Sequence, residues 1–111
     1  MRFGERVRLL KVRRRALRAI LAHARSIIPE VVGSTSDAIY GDPKSLAVRL
    51  KTRTDADRDR LACDPAVQQR FREILAAEGH PSSAVPEVKL AFQSQETIDR
   101  DWSRNWRHTM D

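Results

Sequence analysis

Cysteine is nearly absent from this 111-residue chain. Its one copy, Cys63, has no partner for an intramolecular disulfide, so nothing points to an oxidising compartment. Glycine is scarce too: Gly4, Gly33, Gly41 and Gly79 each stand alone, which excludes the glycine-rich loops that cradle phosphates. No apolar run approaches the ~20 residues of a membrane-spanning helix, and no secretory signal pattern is visible. A cytoplasmic protein without a membrane partner is therefore expected. His23, Cys63, His80 and His108 are dispersed along the chain, whereas zinc sites draw on thiolates and imidazoles at tight spacing. Acidic residues are plentiful, but no pair of them stands out against an apolar background. Neither a metal, nor another cofactor, nor catalysis is expected. Cys63 is read as a small, buried, inert residue, since a nucleophilic cysteine needs a base beside it. His23 is read as a surface residue away from the apolar stripe of its helix.

What the chain does have is a first segment of extreme charge. Residues 1–28 carry nine Arg and Lys against one acid, Glu5, a net of +8, while residues 29–111 carry twelve basic and fourteen acidic residues, a net of −2. The basicity thus belongs to one helix. On a wheel of about 100° per residue, Leu10, Leu17, Ile20, Leu21, Ala24, Ile27 and Ile28 share a face, with the spacing of a core-facing stripe. Lys11, Arg14, Arg15, Arg18 and Arg25 fill the adjoining arc. Arg13 falls among the apolar positions, so burial is expected from about Leu17 onward, and the helix should end at Ile28 because Pro29 disfavours helical geometry before it. Five cations without an interleaved acid repel one another unless a partner neutralises them. A plainly solvated face, its stems covering apolar surface, is the competing reading. A third makes residues 1–11 a frayed or non-native extension ahead of a start at Val12, which would need a non-ATG codon because no methionine lies between Met1 and Met110. The Arg-rich start also has the look of a transit peptide, but serine is scarce and the stripe runs on into the fold.

Length and composition predict one domain spanning residues 1–111 with a single core. A connector leads to a first strand near Ser34 to Tyr40, then a turn at Gly41-Asp42-Pro43-Lys44. Leu46, Val48 and Leu50 alternate with Ala47, Arg49 and Lys51 in a half-buried strand that closes a hairpin with the first. Thr54 caps a short helix to about Cys63, and Asp64-Pro65 begins another. That one buries Val67, Phe71, Ile74 and Leu75 and stops at Gly79. Asp55 to Arg60 alternates in charge and is read as a solvated, self-neutralising face. Pro86 opens a third strand with Val88, Leu90 and Phe92 on one side. Ile98, Trp102 and Trp106 lie four apart, as on one side of a short helical segment, with both tryptophans expected to close the core. The economical arrangement is an α+β fold with a small, mainly antiparallel sheet and the two main helices on one face.

These features place a binding face at Lys11, Arg14, Arg15, Arg18 and Arg25, extended by Arg49 and Lys51, with an acidic protein as the expected partner. RNA or DNA is the alternative, because a cationic helix neutralises phosphates and Trp102 to His108 interleaves aromatics with arginine. The order helix-strand-strand-helix-strand resembles KH-type RNA-binding folds, but the GXXG loop that clamps a backbone there is missing. The segment Phe92-Gln93-Ser94-Gln95-Glu96-Thr97-Ile98-Asp99-Arg100-Asp101-Trp102, with Asn105-Trp106 beyond it and Ile27-Ile28-Pro29-Glu30 earlier, resembles small bacterial proteins of the immunity or antitoxin type. That resemblance covers about a quarter of the chain. It implies a non-enzymatic protein that blocks a partner protein, and it carries over no site residue. The basic helix departs from an inhibitor that mimics nucleic acid, which would be acidic. Partner identity, oligomeric state, the true N-terminus and whether Trp102 and Trp106 face inward stay open.

Overall fold

The computed structural model describes residues 3–38 and 41–110, residues 103–110 by backbone alone. Helix α1 spans Phe3–Ile27, and Leu9, Val12, Ala16, Ile20 and Ala24 form its buried column. This corrects two expectations. Burial begins at Leu9 rather than near Leu17, and Leu10 lies outside the column, 47 % exposed. The phase set by Leu10 and Leu17 was rotated from the true inward direction, where small Ala16 and Ala24 let the helix approach its neighbours. Arg13 does not interrupt the column, because its long side chain carries the guanidinium to the Oγ of Ser36 at 3.2 Å. The last turn closes with the N–H of Ile28 donating to the carbonyl of Ala24 at 2.8 Å, and Pro29 prevents further helix.

Strand β1 (Gly33–Asp37) pairs antiparallel with β2 (Ala47–Thr52), Ser36 opposite Val48. Between them Gly41 takes a φ of 72°, and the Asp42 carboxylate caps a short 3-10 turn at Pro43–Ser45 by accepting from the N–H of Lys44 at 3.0 Å. Strand β3 (Lys89–Ser94) pairs parallel with β2, Leu50 opposite Phe92. The sheet is therefore mixed, in the order β1-β2-β3. The hairpin is antiparallel because a tight turn joins its strands; β3 is parallel because two helices cross over between β2 and β3.

Those helices are α2 (Asp55–Ala62) and α3 (Pro65–Glu78). Thr54 Oγ1 accepts from the N–H of Asp57 at 3.2 Å to start α2, and Asp64 accepts from that of Ala66 at 3.0 Å to start α3. Gly79 ends α3 with a φ of 107°. Its N–H donates to the carbonyl of Ala76 at 3.1 Å, and that of His80 to Leu75 at 2.9 Å, the two bonds of a Schellman closure. Cys63 caps α2 and faces outward. Its expected burial is corrected: the bend between the two helices points it at solvent while Leu61 turns inward.

The core lies between these helices and one face of the sheet. Phe71, fully buried, sits with Ile20, Leu50, Leu61 and Leu75, and burial of one such side chain contributes about 1.5–3 kcal/mol. Its ring lies 6.4 Å from that of Phe92 and, edge-on, 6.0 Å from that of His23. His23 is thus a packing residue at the margin of the core, not the plain surface histidine expected. Arg72 Nη1 donates to the carbonyls of Val85 at 2.8 Å and Val88 at 3.0 Å, holding the approach to β3. Helix α4 (Gln95–Met110) follows β3 directly and packs on β3 and α2. It is longer than the short segment expected, and Trp102 is 69 % exposed on it. The core-closing role expected of Trp102 is corrected, because side chains of α1, α2 and α3 already fill the core on the sheet's inner face; the side chain of Trp106 lies outside the described residues. Among the described residues no helix is long and apolar enough to cross a membrane.

Candidate binding surfaces

The buried column of α1 fixes where its cations point. With Ile20 facing the core, Lys11, Arg14 and Arg18 stand on the opposite side, all exposed, along a ridge of about 10 Å at the helical rise. No carboxylate pairs with these three among the described residues. The other two cations of the arc are engaged. Arg15 Nε meets Glu78 on α3 at 3.3 Å. Arg25 donates to the carbonyls of Val31 at 3.1 Å and Val32 at 3.2 Å, pinning the connector to the end of α1. Exposed Leu10 lies one step around the helix from Arg14, so an apolar side chain borders the cations.

Arg49 and Lys51 stand elsewhere. In β2 the alternate residues Val48, Leu50 and Thr52 are buried under the helices, so Arg49 and Lys51 project from the uncovered face. Arg49 Nη1 pairs there with Asp37 at 2.6 Å. A shallow depression of about 290 Å³ beside them is bordered by Gln93 and Ile98. The sheet separates this pair from the α1 ridge, and the seven expected residues form two surfaces rather than one.

No family model matches the chain, and comparison with curated proteins and with solved structures finds no match either. The surfaces are therefore read from their own chemistry. It is that of a small domain with exposed basic residues.

Two clusters were missed in the sequence. The first joins α2 to α4. Asp55, its side chain 24 % exposed, accepts from the hydroxyls of Ser94 and Thr97. Arg100 Nη1 approaches its other oxygen at 3.2 Å. The Ser94 and Thr97 hydroxyls, with Arg100 after them, hold the Asp55 carboxyl well below the usual carboxylate range. Arg58 Nη1 donates to Thr97 at 2.9 Å, and the N–H of Thr97 donates to Ser94 Oγ at 3.0 Å, capping α4. The reading of Asp55 to Arg60 as a solvated face is thereby corrected for Asp55 and Arg58, which knit two helices together. The Thr54-Asp55 and Ser94-Gln95-Glu96-Thr97 pairings are cap signals, but only the tertiary fold brings two helix starts side by side.

The second is His80, only 4 % exposed. Its Nε2 lies 3.1 Å from the carbonyl oxygen of Pro43. A carbonyl can only accept, so Nε2 carries the proton. Burial first, and the charge of Arg13 in addition, push the His80 pKa down, favouring a neutral ring. The available signal was its place just after the Gly79 stop, where the second residue beyond a helix usually packs inward. Among the described residues no three His, Cys, Asp or Glu side chains gather as a metal site would require.

Proposed function

We propose that this chain is a non-catalytic cytoplasmic binding domain that docks on an acidic protein through the α1 ridge, in the blocking role of an immunity- or antitoxin-type protein. The observation that carries this reading is the ridge itself: Lys11, Arg14 and Arg18 are exposed, share one face, and have no carboxylate partner among the described residues. Three like charges on adjacent turns are mutually unfavourable, so an acidic surface lowers their free energy as well as gaining contacts. Leu10, exposed beside them, supplies the apolar anchor on which protein interfaces concentrate their energy. The resemblance of the Phe92 to Trp102 segment to immunity-type proteins agrees with a protein partner. Stacking on single-stranded nucleic acid is served less well, since exposed Trp102 belongs to α4, whose packing partners are β3 and α2.

The test is affinity capture from source-cell lysate with and without nuclease, eluted by a salt gradient. It is run on the wild type and on the triple variant Lys11→Glu, Arg14→Glu, Arg18→Glu. A discrete protein that resists nuclease and is lost by the triple variant, with circular dichroism unchanged, is the expected result. Nucleic-acid binding would instead vanish with nuclease. With about four phosphates neutralised it would also weaken on the order of a hundredfold between about 50 and 200 mM salt. That outcome, or equal capture by the triple variant, overturns the proposal.

A further inference from the structure

The uncovered face of the sheet, independent of the α1 ridge, gathers apolar side chains left in solvent. Of the five large apolar side chains exposed among the described residues, three belong here: Val32, Ile98 and Trp102. The cross-strand rows Gly33-Lys51-Gln93 and Thr35-Arg49-Ala91 form the face. Val32, Ser34 and Ile98 complete the rim of the depression of about 290 Å³ in it. A Cβ on Gly33 would meet nothing within 4 Å, so the space above that residue is open. Helix α4 is held to α2 by Thr97 and Arg100, both donating to Asp55. At about 100° per residue, Ile98 and Trp102 then share the opposite side of α4, with Asp101 to one side of them and Asp99 to the other. Both acids are exposed. Asp99 accepts from Gln95 Nε2 at 2.7 Å, and neither acid meets a cation among the described residues. Lys51, at the depression, meets no carboxylate among them either.

An occupant of this face must satisfy both signs of charge as well as the apolar residues. A nucleic acid or an acidic peptide suits Lys51 but meets Asp99 and Asp101 beside Trp102. A basic segment has the reverse conflict. What fits is a surface that presents an aromatic flanked by acids next to a depression edged by a lysine, and this chain itself has that surface. Two-fold symmetry sets such a patch against itself, residue i on j and j on i. Each Trp102 then enters the depression of the other copy, whose volume exceeds the ~150 Å³ that admits a benzene ring. Asp99 and Asp101 of each copy meet Lys51 of the other. We infer that the uncovered sheet face and the outer side of α4 form the interface of a symmetric homodimer. The α1 ridges lie across the sheet from this interface, so both stay free in the dimer, and an acidic surface with repeated sites would be held bivalently.

Sedimentation velocity over a dilution series of the full chain reads the assembly state, with circular dichroism as the check on folding. A reversible monomer–dimer equilibrium is the expected result. Trp102→Ala should weaken it at least about tenfold, as loss of a central aromatic predicts. Gly33→Gln should do the same, because it places a side chain in the depression where the strand has room for one. Lys51→Asp alone, and Asp99→Lys together with Asp101→Lys, should each abolish self-association by setting like charges across the interface. An equimolar mixture of those two proteins should dimerise, each supplying the sign that the other lacks. The ridge variant Lys11→Glu, Arg14→Glu, Arg18→Glu should dimerise as the wild type does, so this inference and the role of the ridge fail separately. A wild type that stays monomeric at every concentration, variants that dimerise as tightly as the wild type, or a mixture no more associated than its components overturns the inference. A monomer whose Val32, Lys51 and Ile98 amide resonances move on adding single-stranded DNA or a poly-glutamate peptide overturns it as well, and gives the face to that occupant.

Discussion

Replacing Gly79 tests the closure that sets both the end of α3 and the position of His80. Its φ of 107° lies in the region that costs a residue with a Cβ about 1–2 kcal/mol. Space is not the obstacle: a Cβ on Gly79 would meet Val12 Cγ2 at 3.5 Å, an ordinary contact. Alanine also stiffens the unfolded chain, which returns only ~0.4–1 kcal/mol where the native conformation is compatible, and here it is not. Gly79→Ala should therefore destabilise by about 1–2 kcal/mol. For a chain of this length that lowers Tm by roughly 4–10 °C. Gly79→Asn should lose less, because asparagine tolerates left-handed geometry. Calorimetry on the three proteins reads the order directly. A Gly79→Ala protein that melts within about 1 °C of the wild type, or an asparagine variant less stable than the alanine one, would refute the backbone argument.

Two further predictions concern the core and the helix junction. Phe71→Ala should cost about 3–5 kcal/mol, much of the ~5–15 kcal/mol typical of a domain; a loss under about 1 kcal/mol in urea titration would show that Phe71 is not central. At the junction, folding lowers the Asp55 pKa through the hydroxyls of Ser94 and Thr97 and then Arg100. The stability it adds is therefore complete above the ordinary Asp value of about 3.9 and is lost as pH falls through that range and below. Asp55→Asn should be less stable than the wild type near neutrality, with the difference shrinking as the medium is acidified. A gap in melting temperature that stays constant or widens in acid would contradict the assignment.

Much of the architecture could be read locally. The caps at Thr54 and Asp64, the stop at Gly79 and the column Val67, Phe71, Ile74 and Leu75 depend on hydrogen bonds and periodicities only a few residues long, so each was visible before any fold was known. The alternation in β2 likewise assigned Val48 and Leu50 to the core and Arg49 and Lys51 to the other side. The phase of α1 was less legible, because its true inward column includes Ala16 and Ala24, whose small side chains give a weak hydrophobic signal. Trp102 was misassigned for the opposite reason: a large apolar residue suggests burial wherever it falls, yet only packing decides whether a surface remains to receive it.

The sequence by itself determined that the charge belongs to one helix, that the chain takes its helices and strands in this order, and where α1 ends and α2 and α3 start and stop. These follow from residue types acting over one or two turns. Tertiary structure alone decided which cations remain unpaired, since Arg15 finds Glu78 on α3 and Arg25 finds the connector carbonyls while Lys11, Arg14 and Arg18 find none. It likewise placed Arg49 and Lys51 across the sheet from α1, brought Ser94 and Thr97 to Asp55, and set His80 beside Arg13 around one cavity. Apart from Arg25, whose carbonyl partners lie six and seven positions on, those pairings join residues some 40 to 70 positions apart, and no local rule specifies them. They follow from how one sheet and three helices share a core.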